Sequence, residues 1–219
     1  MKHSFSRRLL AHRGLWKPGS GSNSLEALIS AAQEGFGIET DLRDLGGRLV
    51  ISHDPAPLGA LNAEMVLKAV SDAARDPIVL ALNVKSDGLA PLMQPILDGI
   101  GAHSAYFFDM SIPQLVTYAR ENLPIAIRVS EFKPFRPELF EQLGGLPRRL
   151  WLDSFNSDWW LRDPVLNDLV MEASVTIVSP EIHGRDPRLV WDWFIGATRK
   201  GADVFLCTDE PQRVLEFAP

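Results

Sequence analysis

Short apolar runs alternate with helix-sized segments along the whole chain, and this rhythm constrains the fold more than any other feature. The runs fall at residues 8–12, 36–41, 78–84, 105–109, 125–129, 150–153, 175–179 and 202–208. Between them, helices are predicted over 25–34, 63–74, 90–99, 112–122, 137–143, 164–173 and 188–200. Neighbouring parallel strands need a crossover of a dozen or more residues, usually a helix. Regular alternation of this kind therefore specifies a parallel sheet, closed or open. A ninth apolar run, 49–53, breaks the rhythm, because it follows Asp41 too closely for a crossover. It reads as the return arm of a short hairpin after the second strand. The eight remaining units predict closure into a TIM (β/α)8 barrel.

A barrel of this kind uses nearly all of the 219 residues, so a single domain spanning 1–219 is expected. With 46% hydrophobic and 23% charged residues, the chain has material for a core and is not disordered. Cys207 has no partner cysteine, which excludes a disulfide framework. The net charge of -6 argues against a general affinity for nucleic acid. No apolar stretch approaches the roughly 18 residues of a membrane span. At the N-terminus, only Leu9-Leu10-Ala11 follows the basic residues, too short for a secretory signal. These features predict a soluble cytoplasmic protein without stable membrane insertion, able to meet a lipid-derived substrate transiently. Nothing in the sequence sets an oligomeric state.

Catalytic groups of such a barrel collect at the carboxyl ends of its strands. Those ends supply His12-Arg13, Glu39, Asp41, Asn83, Lys85, Asp109, Ser130-Glu131, Asp153, Glu181, His183 and Thr208-Asp209. Strand ends meet polar residues in any barrel, so membership alone assigns no role. Three groups carry more. Glu39 and Asp41 stand at i and i+2 of one strand and share its inward face. Two adjacent carboxylates repel unless a cation lies between them. A hard divalent ion, Mg²⁺ or Ca²⁺, suits those oxygens; neutralisation by Arg43 or Lys85, or a solvated strand edge, is the alternative. Asn83 and Lys85 repeat the i, i+2 spacing, offering a neutral oxygen to the same ion and a cation to a phosphate or carboxylate. His12 and His53 each end an apolar run, where one can serve as acid and the other as base near neutral pH; alone, each would read as a hydrogen-bonded structural histidine. His3 and His103 read as surface residues.

Read together, these groups resemble the glycerophosphodiester phosphodiesterase family, within the phosphatidylinositol-specific phospholipase C-like phosphodiesterases. The resemblance runs through Ala11-His12-Arg13-Gly14, Asn23-Ser24-Leu25-Glu26-Ala27 and Gly37-Ile38-Glu39-Thr40-Asp41-Leu42-Arg43. It continues in Leu49-Val50-Ile51-Ser52-His53-Asp54-Pro55, in Asn83-Val84-Lys85, and in Cys207-Thr208-Asp209-Glu210-Pro211. It implies a TIM barrel hydrolysing glycerol phosphodiesters to an alcohol and glycerol 3-phosphate with the help of one divalent cation. By position, it implies His12 and His53 as the acid/base pair and Arg13 and Lys85 on the phosphate. Glu39 and Asp41 would hold the ion, with Asn83 beside them.

Three departures qualify the resemblance. Asn83 stands where the family carries a third carboxylate, so Glu131 is a candidate to complete the metal shell. Gly21-Ser22-Asn23-Ser24 replaces Pro-Glu-Asn-Thr, and the segment after His53-Asp54 is short, which predicts an open pocket. A catalytically weakened phosphodiester-binding barrel and a lyase releasing a cyclic phosphate both stay compatible with these residues. Trp151, Trp159, Trp160, Glu181 and His183 fall outside the motifs. The aromatic rings among them suit either a substrate headgroup at the mouth or packing between helices and barrel.

Overall fold

The computed structural model describes residues 5–17, 21–143 and 149–218; His3 and part of the glycine/serine-rich loop after Gly14 lie outside that range. Eight parallel strands form the barrel: β1 (Leu9–His12), β2 (Gly37–Leu45), β4 (Val79–Val84), β5 (Ser104–Phe108), β6 (Ile127–Val129), β7 (Arg149–Leu152), β8 (Ser174–Val178) and β9 (Val204–Thr208). Their order is β5-β4-β2-β1-β9-β8-β7-β6. The seam between β5 and β6 is narrow. Phe107 N–H donates to the Pro124 carbonyl (2.8 Å), and Ala126 N–H to the Phe107 carbonyl (2.9 Å). Strand β3 (Arg48–Ile51) pairs antiparallel with the upper end of β2 from Leu42↔Ile51 to Leu45↔Arg48. Gly46 and Gly47, with φ of 57° and 79°, make the two-residue turn that such a hairpin requires.

Successive residues of a strand face opposite sides, and here this separates two apolar populations. Leu9, Ile38, Leu82, Phe107 and Leu206 pack outward against the helices. Leu10, Ala81, Phe108, Ala126, Trp151 and Cys207 fill the lumen. Two residues further along, the same inward face carries His12, Asn83, Arg128, Asp153 and Asp209. The lumen is thus plugged below and polar at its carboxyl end.

The surrounding helices are α1 (Leu25–Gln33), α2 (Ala63–Ala73), α3 (Met93–Gly99), α4 (Ile112–Arg120), α5 (Pro137–Gln142), α6 (Pro164–Glu172), α7 (Arg188–Arg199) and α8 (Pro211–Phe217). Ser24 caps α1 by accepting the Ala27 N–H at 3.2 Å, and Asn62 caps α2 through the Met65 N–H at 2.9 Å. The C-terminal residues form α8, which Pro211 opens at a position where no N–H is needed. His103 is half-buried rather than a surface residue: its Nδ1 accepts the Ile78 N–H, and its Nε2 faces the Ser71 carbonyl. Trp160 is fully buried edge-on against Trp193 (4.8 Å), and Trp159 packs on the core. Neither ring reaches the mouth, whereas Trp151 stacks on Phe108 at 3.8 Å and forms its floor.

Candidate active site

The carboxyl ends of β1, β2 and β4 build one wall of the mouth. Arg13 leaves β1 with a left-handed φ of 57°, and its N–H donates to the Glu39 carbonyl at 2.8 Å. Gly14 follows at φ 88°, where a Cβ would lie 2.5 Å from the Ala27 carbonyl carbon, so only glycine lets this turn meet α1. Asn23, also left-handed at φ 62°, donates through Nδ2 to Asp41 (2.8 Å) and accepts from the Thr40 hydroxyl (2.7 Å). The cap of α1 is Ser24 and not Asn23. Asn23 is a clamp on the carboxylate strand.

Asp41 is wholly buried, 3.1 Å from Arg13 Nε and 3.3 Å from Lys85 Nζ. Arg43 takes no part in this neutralisation; its Nη2 donates to the His53 carbonyl at 2.9 Å. Glu39 is buried beside Asp41. Burial first, and the Asp41 charge second, push its carboxyl up to about 7. Glu39 Oε2, Asp41 Oδ1 and Asn83 Oδ1 are all buried without a hydrogen-bond partner. Asp41 and Asn83 are direct partners across β2 and β4. Among the described residues no three His, Cys, Asp or Glu side chains form a metal cage; the third oxygen here is an amide. Two carboxylates and an amide oxygen make a donor set fitted to a hard cation.

His12 links this wall to β9. Its Nδ1 lies 2.7 Å from Asp209 Oδ1, and its Nε2 is 3.8 Å from Glu39 Oε2. Burial alone would lower the imidazole pKa, but the Asp209 hydrogen bond and the Glu39 charge outweigh it and raise the value. Asp209 is held in turn by Glu181, whose carboxylate accepts the Asp209 N–H (3.2 Å) and the hydroxyls of Thr208 and Ser179. Ser179 also accepts the indole N–H of the buried Trp191 at 2.8 Å. Glu181 sits on a 3₁₀ turn, Pro180–His183, rather than on a strand. His53 is 44% exposed, with its Nδ1 3.0 Å from Asp54.

The opposite wall comes from β5 to β8. Arg128, in the middle of β6, donates to Asp109 (2.6 Å) and to Asp153 (2.7 Å). Asp153 also meets His183 Nε2 at 2.8 Å, and Lys85 approaches Asp109 at 4.0 Å, joining the two walls. Phe155 lies over the Arg128 guanidinium (5.4 Å) and against His183 (4.6 Å). Glu131 does not complete a metal shell. Its carboxylate accepts the backbone N–H groups of Phe155, Asn156 and Ser157 at 3.0, 3.0 and 3.3 Å, which fixes the loop carrying Phe155.

Six of the seven residues singled out in the sequence, His12, Arg13, Glu39, His53, Asn83 and Lys85, line one cleft of about 550 Å³. Asp41 lies buried behind Arg13 and Lys85. The sequence reading passed over Arg128, although a signal existed: a charge two residues beyond Ala126 on the inward face of an otherwise apolar run. Trp16, whose indole N–H donates to the His12 carbonyl at 2.9 Å, also lines the cleft unforeseen.

The fold and its mouth place the chain in the class of (β/α)8 barrels with a polar carboxyl-end cleft. Solved structures similar to it include three phosphodiesterases. One, a phosphodiesterase from Oleispira antarctica in complex with the product sn-glycerol-3-phosphate, has a TM-score of 0.71 at 18% identity, with 98% of each chain covered. A glycerophosphodiester phosphodiesterase from Agrobacterium tumefaciens str. C58 gives 0.64 at 16% identity, covering 95% of this chain and 99% of that one. A glycerophosphoryl diester phosphodiesterase from Parabacteroides distasonis gives 0.63 at 16%, covering 100% and 92%. No family model matches the sequence, and no curated protein matches it.

Proposed function

We propose that the chain is a divergent glycerophosphodiester phosphodiesterase, a phosphoric diester hydrolase that splits a glycerol-type diester into an alcohol and glycerol 3-phosphate. The sequence motifs and the fold likeness agree on that family, and one of the similar structures holds sn-glycerol-3-phosphate. The observation that carries the reading is local: buried oxygens of Glu39, Asp41 and Asn83 that accept no hydrogen bond, the Asp41 one met only by the Lys85 ion pair, beside Arg13 and His12.

Glu39, Asp41 and Asn83 would hold one Mg²⁺ or Ca²⁺. Bound there, the ion supplies positive charge to a phosphoryl oxygen and to the nucleophile. Arg13 turns only Nε toward Asp41 and keeps its other donors for phosphate oxygens. Lys85 adds a point charge. With Nδ1 on Asp209, His12 exchanges its proton at Nε2, and His53 acts from the other side. One imidazole takes the proton of the attacking hydroxyl as the new P–O bond forms. The other returns a proton to the departing alcohol oxygen as the old P–O bond breaks.

Hydrolysis of bis(4-nitrophenyl) phosphate with and without Mg²⁺ or Ca²⁺ tests the reading, together with release of glycerol 3-phosphate from a glycerol diester. A rate indifferent to chelation, or one retained by His12→Ala combined with His53→Ala, overturns it. Phosphorus NMR of the products separates hydrolysis from release of a cyclic phosphate. The amide at position 83 favours one second reading, a barrel that binds diesters without turnover. In that case Asn83→Glu takes the protein from no turnover to a measurable rate.

A further inference from the structure

The wall built from β5 to β8 is not used by the chemistry above, yet it faces the same cleft and is fully assembled. Arg128 bridges Asp109 and Asp153, and His183 closes on the second oxygen of Asp153. Phe155 pins the guanidinium, and Glu131 locks the Phe155 loop through three backbone N–H bonds. Arg185 ties the same loop down by donating to the Ser154 carbonyl at 2.8 Å and pairing with Asp158. A second hollow of about 520 Å³, between the start of α1 and the loop after β3, shares Arg13 and His53 with the cleft. A phosphate held at Arg13, beside His53, therefore has one hollow on each side, as a diester requires.

Resting on the phosphodiesterase reading, we infer that the Arg128–Asp153–His183 wall recognises the alcohol half of the diester, and that this alcohol is a neutral polyol. Hydroxyl groups donate and accept at once. They match a surface in which carboxylate oxygens alternate with guanidinium and imidazole nitrogens. The buried Arg128 Nε has no hydrogen-bond partner, so the guanidinium is not fully matched by its two carboxylates. A quaternary ammonium needs open aromatic faces. Here Phe155 carries Arg128 on its ring, and Trp151 is stacked on Phe108. The carboxylates that would attract a cation already face Arg128. An acyl chain would meet charged side chains instead of a continuous apolar wall. A site built to bond hydroxyls discriminates strongly against an analogue that lacks them. Rigid support from Glu131 and Arg185 lowers the ordering cost of doing so.

The test compares glycerophosphoinositol with glycerophosphocholine, and lysophosphatidylinositol with lysophosphatidylcholine, using the intact protein and a saturating divalent ion. The second pair shows whether the polyol arrives on a lipid or on a water-soluble diester. At least a tenfold advantage in kcat/KM for the inositol member of either pair is expected. Equal rates, or a choline advantage, in both pairs overturn the inference. Should the aryl diester be cleaved without that advantage, the polyol inference fails while the phosphodiesterase reading stands. Should no diester be cleaved, calorimetric titration with the two glycerophosphodiesters decides recognition alone. Tenfold tighter binding of the inositol compound supports the inference, and equal or absent binding overturns it. Arg128→Gln should bring the inositol-to-choline ratio close to one, whereas a merely structural role would lower both and leave the ratio intact. Phe155→Ala, which leaves the ion pairs in place, reads the same ratio if Arg128→Gln fails to fold.

Discussion

The two walls of the cleft are built from the same kinds of side chain and differ in how far their charges are satisfied. On the β1–β2–β4 wall, Glu39, Asp41 and Asn83 each keep a buried oxygen without a hydrogen-bond partner. On the β5–β8 wall, both oxygens of Asp153 are engaged, and Arg128 reaches two carboxylates. Leaving buried polar atoms unmatched costs free energy, so on the proposed function the first wall is the one that a cation and an anion would complete. The second wall has both Asp153 oxygens matched, leaves Arg128 Nε without a hydrogen bond, and offers a fixed template. On the proposed function, the less satisfied groups mark where chemistry enters, and the better satisfied ones mark where selectivity is held.

The largest effect expected from this contrast separates the two histidines nearest the mouth's carboxylates. On the proposed mechanism, His12→Ala removes a proton-transfer group and should lower kcat by about 10²- to 10⁴-fold. His183→Ala should cost roughly tenfold, expressed mainly in KM, because it loosens one partner of Asp153 and no reacting atom. Steady-state kinetics on one glycerol diester check both. Equal losses in kcat would break the division between the walls.

A smaller loss is expected from Glu181, which touches no substrate position but holds the Asp209 backbone and the Thr208 hydroxyl. Glu181→Gln should reduce kcat about tenfold with little change in KM, as a positioning residue does when its hydrogen bonds weaken. Because the Asp209 hydrogen bond raises the His12 pKa, displacing Asp209 should also move the His12 limb of the pH–rate profile to lower pH. A rate loss without that movement would assign Glu181 to stability alone.

The walls were unequally legible in the sequence. His12, Glu39, Asp41, His53, Asn83 and Lys85 lie at or near the ends of apolar runs, where alternation and the barrel pattern together fix their direction. The other wall depends on partners that only barrel closure brings together. Arg128 lies 19 residues from Asp109 and 25 from Asp153, and Asp153 lies 30 from His183. No local spacing encodes those pairings. Glu131 shows the same limit: its strand-end position suggested the metal, but three loop N–H groups claim it. Trp159 and Trp160 were ambiguous because an aromatic ring after a strand can turn toward the cleft or under the helices, and burial of apolar area decides it.

Asn83 tests how incomplete the first wall must be. Asn83→Asp adds one negative charge beside Asp41 and should tighten divalent-ion binding about tenfold, through stronger coordination of a hard cation. Without the ion, the same change should destabilise the protein by crowding three carboxylates together. Calorimetric titration with Mg²⁺ or Ca²⁺ and a melting curve in chelator measure the two sides. Tighter binding without the loss of metal-free stability would mean that Lys85 and Arg13 already absorb the added charge.

The smallest effect should distinguish the walls by the sign of their response to pH. In metal-free protein, Glu39 holds its proton up to about 7, against an ordinary value of 4.5. Its contribution to stability is fully present below 4.5 and is lost as pH rises through about 7, because the unfolded chain ionises first. Asp153 runs the other way. Although burial opposes it, hydrogen bonding to His183 and the Arg128 charge hold its carboxyl below the ordinary 3.8. Its contribution is present above 3.8 and is lost as pH falls through the lowered value. In chelator, Tm should therefore decline by roughly 5 °C between about pH 5 and 8. A saturating divalent ion should remove most of that decline, and Glu39→Gln should flatten it without any ion. Asp153→Asn should leave the neutral-side decline in place and alter only the acid side. A neutral-side decline that survives Glu39→Gln unchanged would place the pH-sensitive group elsewhere and remove the electrostatic distinction between the walls.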